Sequence, residues 1–425
     1  MTFDEAVKYI YQIPKFTTKN DSIHTKTFLR HLGNPEKKLK VLHVAGTNGK
    51  GSVCIYLDTL LRSQGKTVGR FTSPHLVRIN ERIVMENQEI SNEEFLNVFR
   101  IVLNAVRKME QAGDSHPTFF EFLFAMAVTA FARAEVEYAV LETGLGGRLD
   151  ATNAVERPAA SIITAIGLDH TQYLGNTLTE IAGEKAGIIK PGVPVFYAEA
   201  ENDTNINEVI EYQAAQMGAA CHRISKDEYK ILGIENKHIA FSTANAYYGN
   251  TTWYLANTGI YQPHNAMLAL AVMQFLFGEA GQVDLWREAL GKVRWAGRME
   301  EVLPGIYLDG AHNVSAVAGF IESLPDDGTG KIILFSAVKD KDYESMIDLL
   351  CQKSDVDFYI ITRIPDERAV PADELKAVFE KYTDKPIIVR ESPQDAFAYL
   401  REHQDKREAY CLGSLYLAGI IKSIL

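Results

Sequence analysis

Twelve residues constrain this chain more than any others: Val41-Leu42-His43-Val44-Ala45-Gly46-Thr47-Asn48-Gly49-Lys50-Gly51-Ser52. An apolar run breaks into a glycine-rich turn and then opens a helix. Such a turn lets several N–H groups converge, a concavity suited to phosphate oxygens. Lys50 adds a mobile positive charge and Ser52 a hydroxyl able to reach a magnesium ion. The positive end of the following helix faces the same anion. Val44 stands where the standard Walker loop has glycine, and Gly51 separates Lys50 from Ser52, so this is a shortened variant. The stretch predicts a nucleoside triphosphate site at the mouth of a parallel sheet.

The rest of the chain supplies that sheet. At 425 residues it is too long for one core. Apolar runs at 39–45, 68–72, 136–142, 161–166 and 193–197 read as buried strands. Between them, helical patterns lie at 52–64, 93–110, 118–134 and 178–189. Residues 221–261 alternate as antiparallel hairpins would, and an Ala/Leu-rich helix at 264–278 is expected inside the first domain. After the hinge-like stretch 293–298, strands are expected at 306–309, 331–336, 358–362, 387–389 and 409–412. The expected fold is α/β: a mostly parallel sheet domain carrying the phosphate loop, residues 1–296, then a smaller Rossmann-like α/β domain, residues 297–425.

Charge and composition narrow the function. A net charge of −11 argues against a nucleic-acid partner. Asp4, Glu5 and Lys8 interrupt the start, so no secretory leader is expected, and the apolar stretch 122–132 is too short to span a bilayer. Cys54, Cys221, Cys351 and Cys411 show no metal-ligand spacing and read as buried thiols of a reducing, cytoplasmic compartment.

Several polar clusters fall at predicted strand ends: Thr72-Ser73-Pro74-His75, Glu142-Thr143-Gly144-Leu145-Gly146-Gly147-Arg148-Leu149-Asp150-Ala151, and Leu168-Asp169-His170-Thr171. Glu184-Lys185-Ala186-Gly187 lies on the next helix. Beside a phosphate loop, together they favour a magnesium-assisted site. With Asn80-Glu81-Arg82-Ile83, Gly297-Arg298, Asp309-Gly310-Ala311-His312-Asn313 and Lys339-Asp340-Lys341-Asp342, they resemble the folylpolyglutamate synthase and dihydrofolate synthase branch of the Mur ligase superfamily over nearly the whole chain.

The resemblance implies an ATP-dependent ligase that joins L-glutamate to a folate, or to dihydropteroate, through an acyl phosphate. It assigns ATP contacts to Thr47, Asn48, Gly49, Lys50, Gly51, Ser52, Asn265 and Arg298, with Asp309 and His312 reaching over from the second domain. Ser73, Glu142, His170 and Lys185 are implied as ligands of two Mg2+ ions, Lys185 as a carbamate. Lys185, His170, Glu142, Asp309 and His312 form the implied catalytic set. Arg82, Thr118, Phe119, Phe120, Glu121, Leu149, Asp150 and Ala151 are implied on the folate side. Ser22 to Thr25 match a pterin-contacting loop, although the neighbouring residues lack its usual glycines, and Ala296 replaces the usual proline before Gly-Arg. A monomer binding small molecules, with no nucleic acid or membrane partner, is expected.

Three rivals are weaker. A UDP-muramyl ligase carries an extra domain before the phosphate loop, but 45 residues precede Gly46 here. A nucleotide-hydrolysing switch has no use for Lys185, Asp309 or His312. A small-molecule kinase would release a phosphorylated product in place of an amide.

Overall fold

The computed structural model describes residues 1–14, 22–201, 203–235, 237–294 and 296–425. The larger sheet has eight strands, in the order Gln88–Glu89, Ile83–Met85, Val68–Phe71, Tyr138–Glu142, Lys40–Ala45, Ala160–Ile163, Val195–Ala198 and Cys221–Ile224. All pairings from Val68–Phe71 onward are parallel; the first two strands form an antiparallel edge. Parallel strands need crossover helices, and those helices cover both faces. Tyr138–Glu142 is accordingly buried at every position. Helices Lys50–Ser63, Gln262–Phe277 and Val283–Leu290 build the core on one face. Phe3–Gln12, Asn92–Gln111 and Phe119–Arg133 build it on the other.

A second sheet follows, in the order Glu300–Leu303, Ile306–Leu308, Glu408–Leu412, Lys331–Phe335, Phe358–Thr362 and Ile387–Arg390, antiparallel at its first pair and parallel elsewhere. The strand-end residues Gly46, Ser73, Gly144 and Ala165 of the large sheet line the same cavity as Asp309, Val338 and Gly413 of the second. Both sheets therefore aim their carboxyl ends, where α/β folds place ligands, at one cleft.

Four details differ from the sequence reading. Cys221–Ile224 is not part of a hairpin; it joins the large sheet parallel to Val195–Ala198, because helix Thr204–Gln216 makes the crossover. The hairpins occupy Tyr229–Glu235, His238–Asn245 and Gly249–Leu255. Both sheets also gain antiparallel edges from short polar strands whose sequence carries little β signal, and of the cysteines expected to be buried Cys221 is exposed and Cys351 half-buried. The Ala/Leu-rich helix begins at Gln262, because Pro263 fits a helical first turn. Among the described residues, no helix is long and apolar enough to cross a membrane.

One central residue makes this core sensitive to pH. His43 is fully buried in strand Lys40–Ala45, and burial pushes its imidazole down from 6.5 to about 3. Below about pH 6.5 the unfolded chain takes up a proton that the folded protein refuses until about 3, so stability is whole above 6.5 and falls with acidification. Thermal unfolding midpoints should drop between pH 7.5 and 5, and His43→Leu should flatten that part of the decline.

Candidate active site

The phosphate loop depends on missing side chains. A Cβ at Gly46 would collide with Thr164 Oγ1, and one at Gly49, where φ is +90°, would collide with Asn265 Oδ1. The loop is tied to the neighbouring strand end. Thr47 and Asn48 N–H groups donate to Ala165 O at 2.9 and 3.2 Å, and Thr164 Oγ1 donates to Asn48 O at 2.7 Å. Helix Lys50–Ser63 starts at Gly49 with no side-chain cap, leaving its first-turn amides for an anion. Lys50 folds back to donate to Gly46 O and Thr47 O, both at 3.1 Å. Buried Gln262 lies between Ser52 and Asn265, donating to Ser52 Oγ at 3.3 Å and accepting from Asn265 Nδ2 at 3.3 Å.

A cavity of about 550 Å3 collects these groups with residues of both sheets. Asn48 through Ser52, Ser73, Glu142, His170, Lys185, Asn265, Arg298, Asp309 and His312 all line it, as does Thr47. Glu142, 4 % exposed at the end of its strand, accepts from Ser73 N at 3.0 Å. Burial raises its carboxyl, against the pull of Lys50. Lys185, 3 % exposed, donates to Gly46 O at 2.7 Å, and burial, reinforced by Lys50, pushes its amine down to about 7. Among the described residues no three His, Cys, Asp or Glu side chains are gathered as a ready metal site.

The second domain enters through Asp309, whose carboxylate accepts from Met299 N at 2.9 Å, Ala311 N at 2.8 Å and Tyr261 Oη at 3.1 Å. Burial raises this carboxyl, opposed by Arg298. His312 Nδ1 donates to Gly310 O at 2.7 Å, and burial holds the ring near 4, so its Nε2 carries a lone pair at neutral pH. Arg298 Nη1 donates to Gly297 O at 2.9 Å.

Sequence reasoning assigned no role to the contact that joins the domains here. Lys341 Nζ donates to Asp169 Oδ1 at 2.5 Å and lies 3.4 Å from His170 Nε2, while Asn313 Nδ2 donates to Asp169 Oδ2 at 3.1 Å. Burial works to raise the Asp169 carboxyl, but Lys341, His170 and His312 outweigh it and hold it well below the usual range. His170 is pushed down to about 4, first by burial. Asp169 and Lys341 both fall within quoted motifs; their pairing had no sequence signal because 171 residues separate them.

The residues implied on the folate side sit apart from this cavity lining. Arg82 is buried, donates from Nε to His75 Nδ1 at 2.8 Å, and lies over the Phe119 ring at 5.5 Å. Phe120 packs on Phe71 with ring centroids 5.5 Å apart and fills the space a Cβ on Gly144 would need. Thr118 and Glu121 form the capping box of helix Phe119–Arg133, and Glu121 also accepts from Thr25 Oγ1 at 2.7 Å. The Thr-x-x-Glu spacing before an apolar run was the available signal for that cap. Asp150 accepts from the N–H groups of Gly144 and Leu145 at 2.9 Å and from Thr152 Oγ1 at 2.6 Å. His43 Nε2 in turn donates to Thr152 Oγ1 at 2.7 Å, so Asp150 shapes the loop beneath Glu142. Leu149 is half-buried and Ala151 buried beside it. Of the pterin-loop match, Ser22 to Thr25 fall on helix Ser22–His31, and residues 17–21 lie outside the described residues.

Two family models match: the Mur ligase middle domain over residues 44–273 and the Mur ligase glutamate ligase domain over residues 297–414. The chain is 35% identical to a dihydrofolate synthase/folylpolyglutamate synthase of Bacillus subtilis, covering 100% of this chain and 99% of that protein. Its structure matches Mycobacterium tuberculosis folylpolyglutamate synthase complexed with ADP and AMPPCP, with a TM-score of 0.89, 28% identity, and 99% and 98% of the two chains covered. It also matches E. coli FolC in complex with DHPP and ADP, with a TM-score of 0.84, 28% identity, and 100% and 97% covered.

The loop geometry generates a direct test. Gly49→Ala puts a Cβ against Asn265 at a backbone angle that alanine resists, so ATP affinity measured by calorimetry should fall at least tenfold, and the same strain should lower the unfolding midpoint by roughly a few degrees.

Proposed function

The chain belongs to the Mur ligase family, in its folylpolyglutamate and dihydrofolate synthase branch, and on that premise we propose how one cavity makes the amide bond. The protein is an ATP-dependent ligase that joins L-glutamate to folates. The observation that carries the proposal is the shared lining: phosphate loop, Ser73, Glu142 and Lys185 from the first domain face Arg298, Asp309 and His312 from the second.

ATP phosphates rest on the amides of Thr47 to Ser52, with Lys50 released from its own loop carbonyls to meet them. Asn265 takes the adenine side. Asp309, already oriented by three donors, faces the ribose, and Arg298 reaches the phosphates from the hinge. The folate γ-carboxylate attacks the γ-phosphorus and ADP leaves, forming an acyl phosphate. The deprotonated amine of L-glutamate then adds to that carbonyl, and phosphate departs as the amide forms. Dihydropteroate, which ends in a benzoate carboxylate, enters the same sequence as a second acceptor.

The donor set fits Mg2+. Hydroxyl and carboxylate oxygens suit a hard divalent ion, and Glu142 is a buried carboxylate that such an ion would stabilise. Ser73 and Glu142 would hold one ion, His170 and Lys185 a second. Bound there, Mg2+ would neutralise crowded phosphate and carboxylate oxygens. Lys185 suits this role only after its charge is inverted. Its amine, near 7, is neutral in part at physiological pH, and a neutral amine attacks CO2 to give a carbamate and release a proton. The carbamate nitrogen keeps one N–H for Gly46 O while its oxygens gain the negative charge.

Incubation with Mg-ATP, L-glutamate and tetrahydrofolate or dihydropteroate should yield products heavier by one glutamyl unit, detected by mass. Absence of that product with every acceptor overturns the proposal. Lys185→Ala should lower kcat at least 100-fold while the protein still folds, as circular dichroism would check; full activity in that variant excludes the carbamate.

A further inference from the structure

The phosphate loop and the Asp309–Asn313 turn meet through two asparagines that lie 265 residues apart. Asn313 caps helix Val314–Glu322: its Oδ1 accepts from Ala316 N at 2.9 Å and from Ser315 Oγ at 3.1 Å. The cap fixes which way this amide faces, because Oδ1 must point at the helix. Nδ2 is therefore turned to the first domain, where it donates to Asn48 Oδ1 at 3.0 Å and to Asp169 Oδ2 at 3.1 Å. Asn48 answers in the opposite sense. Its Nδ2 donates to Asn313 Oδ1 at 3.2 Å and to Ser315 Oγ at 2.8 Å.

The two side chains thus form a reciprocal amide pair, and both polar atoms of the Asn48 side chain bond to the second domain. Asn313 is buried, so its amide would lose hydrogen bonds that water could not readily replace if Asn48 were withdrawn. The first-domain backbone beside Asn48 is shaped to receive the same helix. A Cβ on Gly167 would meet Ser315 Oγ at 2.5 Å, so the close approach requires glycine there. Gly167 is itself bound to the phosphate loop: Thr47 Oγ1 donates to Gly167 O and accepts from Gly167 N, both at 3.0 Å.

We infer that Asn48 is a positioning residue whose side chain sets the register of the second domain on the phosphate loop. The inference rests on the ligase reading above and deepens it. Asn313 directly follows His312 and ends the turn that begins at Asp309. Seating Asn313 on the loop therefore fixes where Asp309 and His312 stand over the nucleotide. The loop that cradles the phosphates also aligns the groups arriving from the other sheet, and small misplacements of such groups are costly to rate. Asn48 acts here through Asn313 and Ser315, not on a reacting atom.

The test is a double-mutant cycle on the full chain, assayed with Mg-ATP, L-glutamate and tetrahydrofolate. Asn48→Ala removes the amide from the loop. Asn313→Ser removes its partner yet keeps a residue that caps helices well. Each single variant should lower kcat/KM for ATP about tenfold, and the double variant should be no worse than the weaker single, because one contact is lost in all three. KM for tetrahydrofolate should stay within about twofold, since the residues implied on the folate side lie apart from this contact. Ser315→Ala, at an exposed helical position, should lower kcat/KM about threefold by itself and no further when added to Asn48→Ala. Losses in Asn48→Ala and Asn313→Ser that multiply to about a hundredfold make the two side chains independent and overturn the inference. Wild-type kinetics in either of those single variants overturns it as well. Both results leave the ligase assignment intact. A wild type that ligates glutamate to no acceptor overturns the functional reading itself.

Discussion

Balancing buried charge at the meeting of two sheets is the constraint on which this structure depends. Lys50, Lys185, Arg298 and Lys341 share one cavity with Glu142, Asp169 and Asp309. None of these groups could be buried alone, because an isolated charge in a low-dielectric interior is expensive. The fold answers with opposite charges from different elements. Lys341 of the second domain lies against Asp169 of the first, and Arg298 opposes the burial of both Glu142 and Asp309. The domain contact and the reaction site are thus one electrostatic arrangement.

That arrangement explains why cations here show such different character. Arg298 presents a planar guanidinium with several N–H donors, a shape that suits phosphate oxygens. Lys185, enclosed beside Lys50, is driven toward neutrality, which leaves a lone pair on its amine. The two histidines nearest Asp169, His170 and His312, are neutral at working pH in spite of that carboxylate, because burial and Lys341 outweigh it. Neutral imidazole is the form that coordinates a metal or accepts a proton. A cluster that looks uniformly cationic in composition is divided by burial into charge carriers and lone-pair donors.

The glycine-rich loop and the polar strand ends play complementary parts. The loop must be thin: Gly46 and Gly49 lie where Thr164 and Asn265 leave no room for a side chain. The loop after Tyr138–Glu142 must be stiff, and Asp150 makes it so, with His43 and Thr152 behind it. Residues with the appearance of substrate ligands therefore divide between chemistry and scaffolding. Thr118 and Glu121 cap a helix, whereas Arg82 and Phe119 form a cation–ring contact beside the partly exposed Tyr11.

Local sequence alone determined the strand–turn–helix at residues 41–52, the alternating α/β order and the motifs at 142–153 and 309–313. Each is written in neighbouring residues by periodicity and by the backbone freedom of glycine. The short polar edge strands were not legible, since their pairing comes from the sheets they border. Nor was the crossover that sends Cys221–Ile224 into the large sheet. Tertiary structure alone decided that Asp169 meets Lys341 and that Gln262 links Ser52 to Asn265. Those contacts depend on how two sheets dock, and docking brings together groups whose separation along the chain carries no periodic trace.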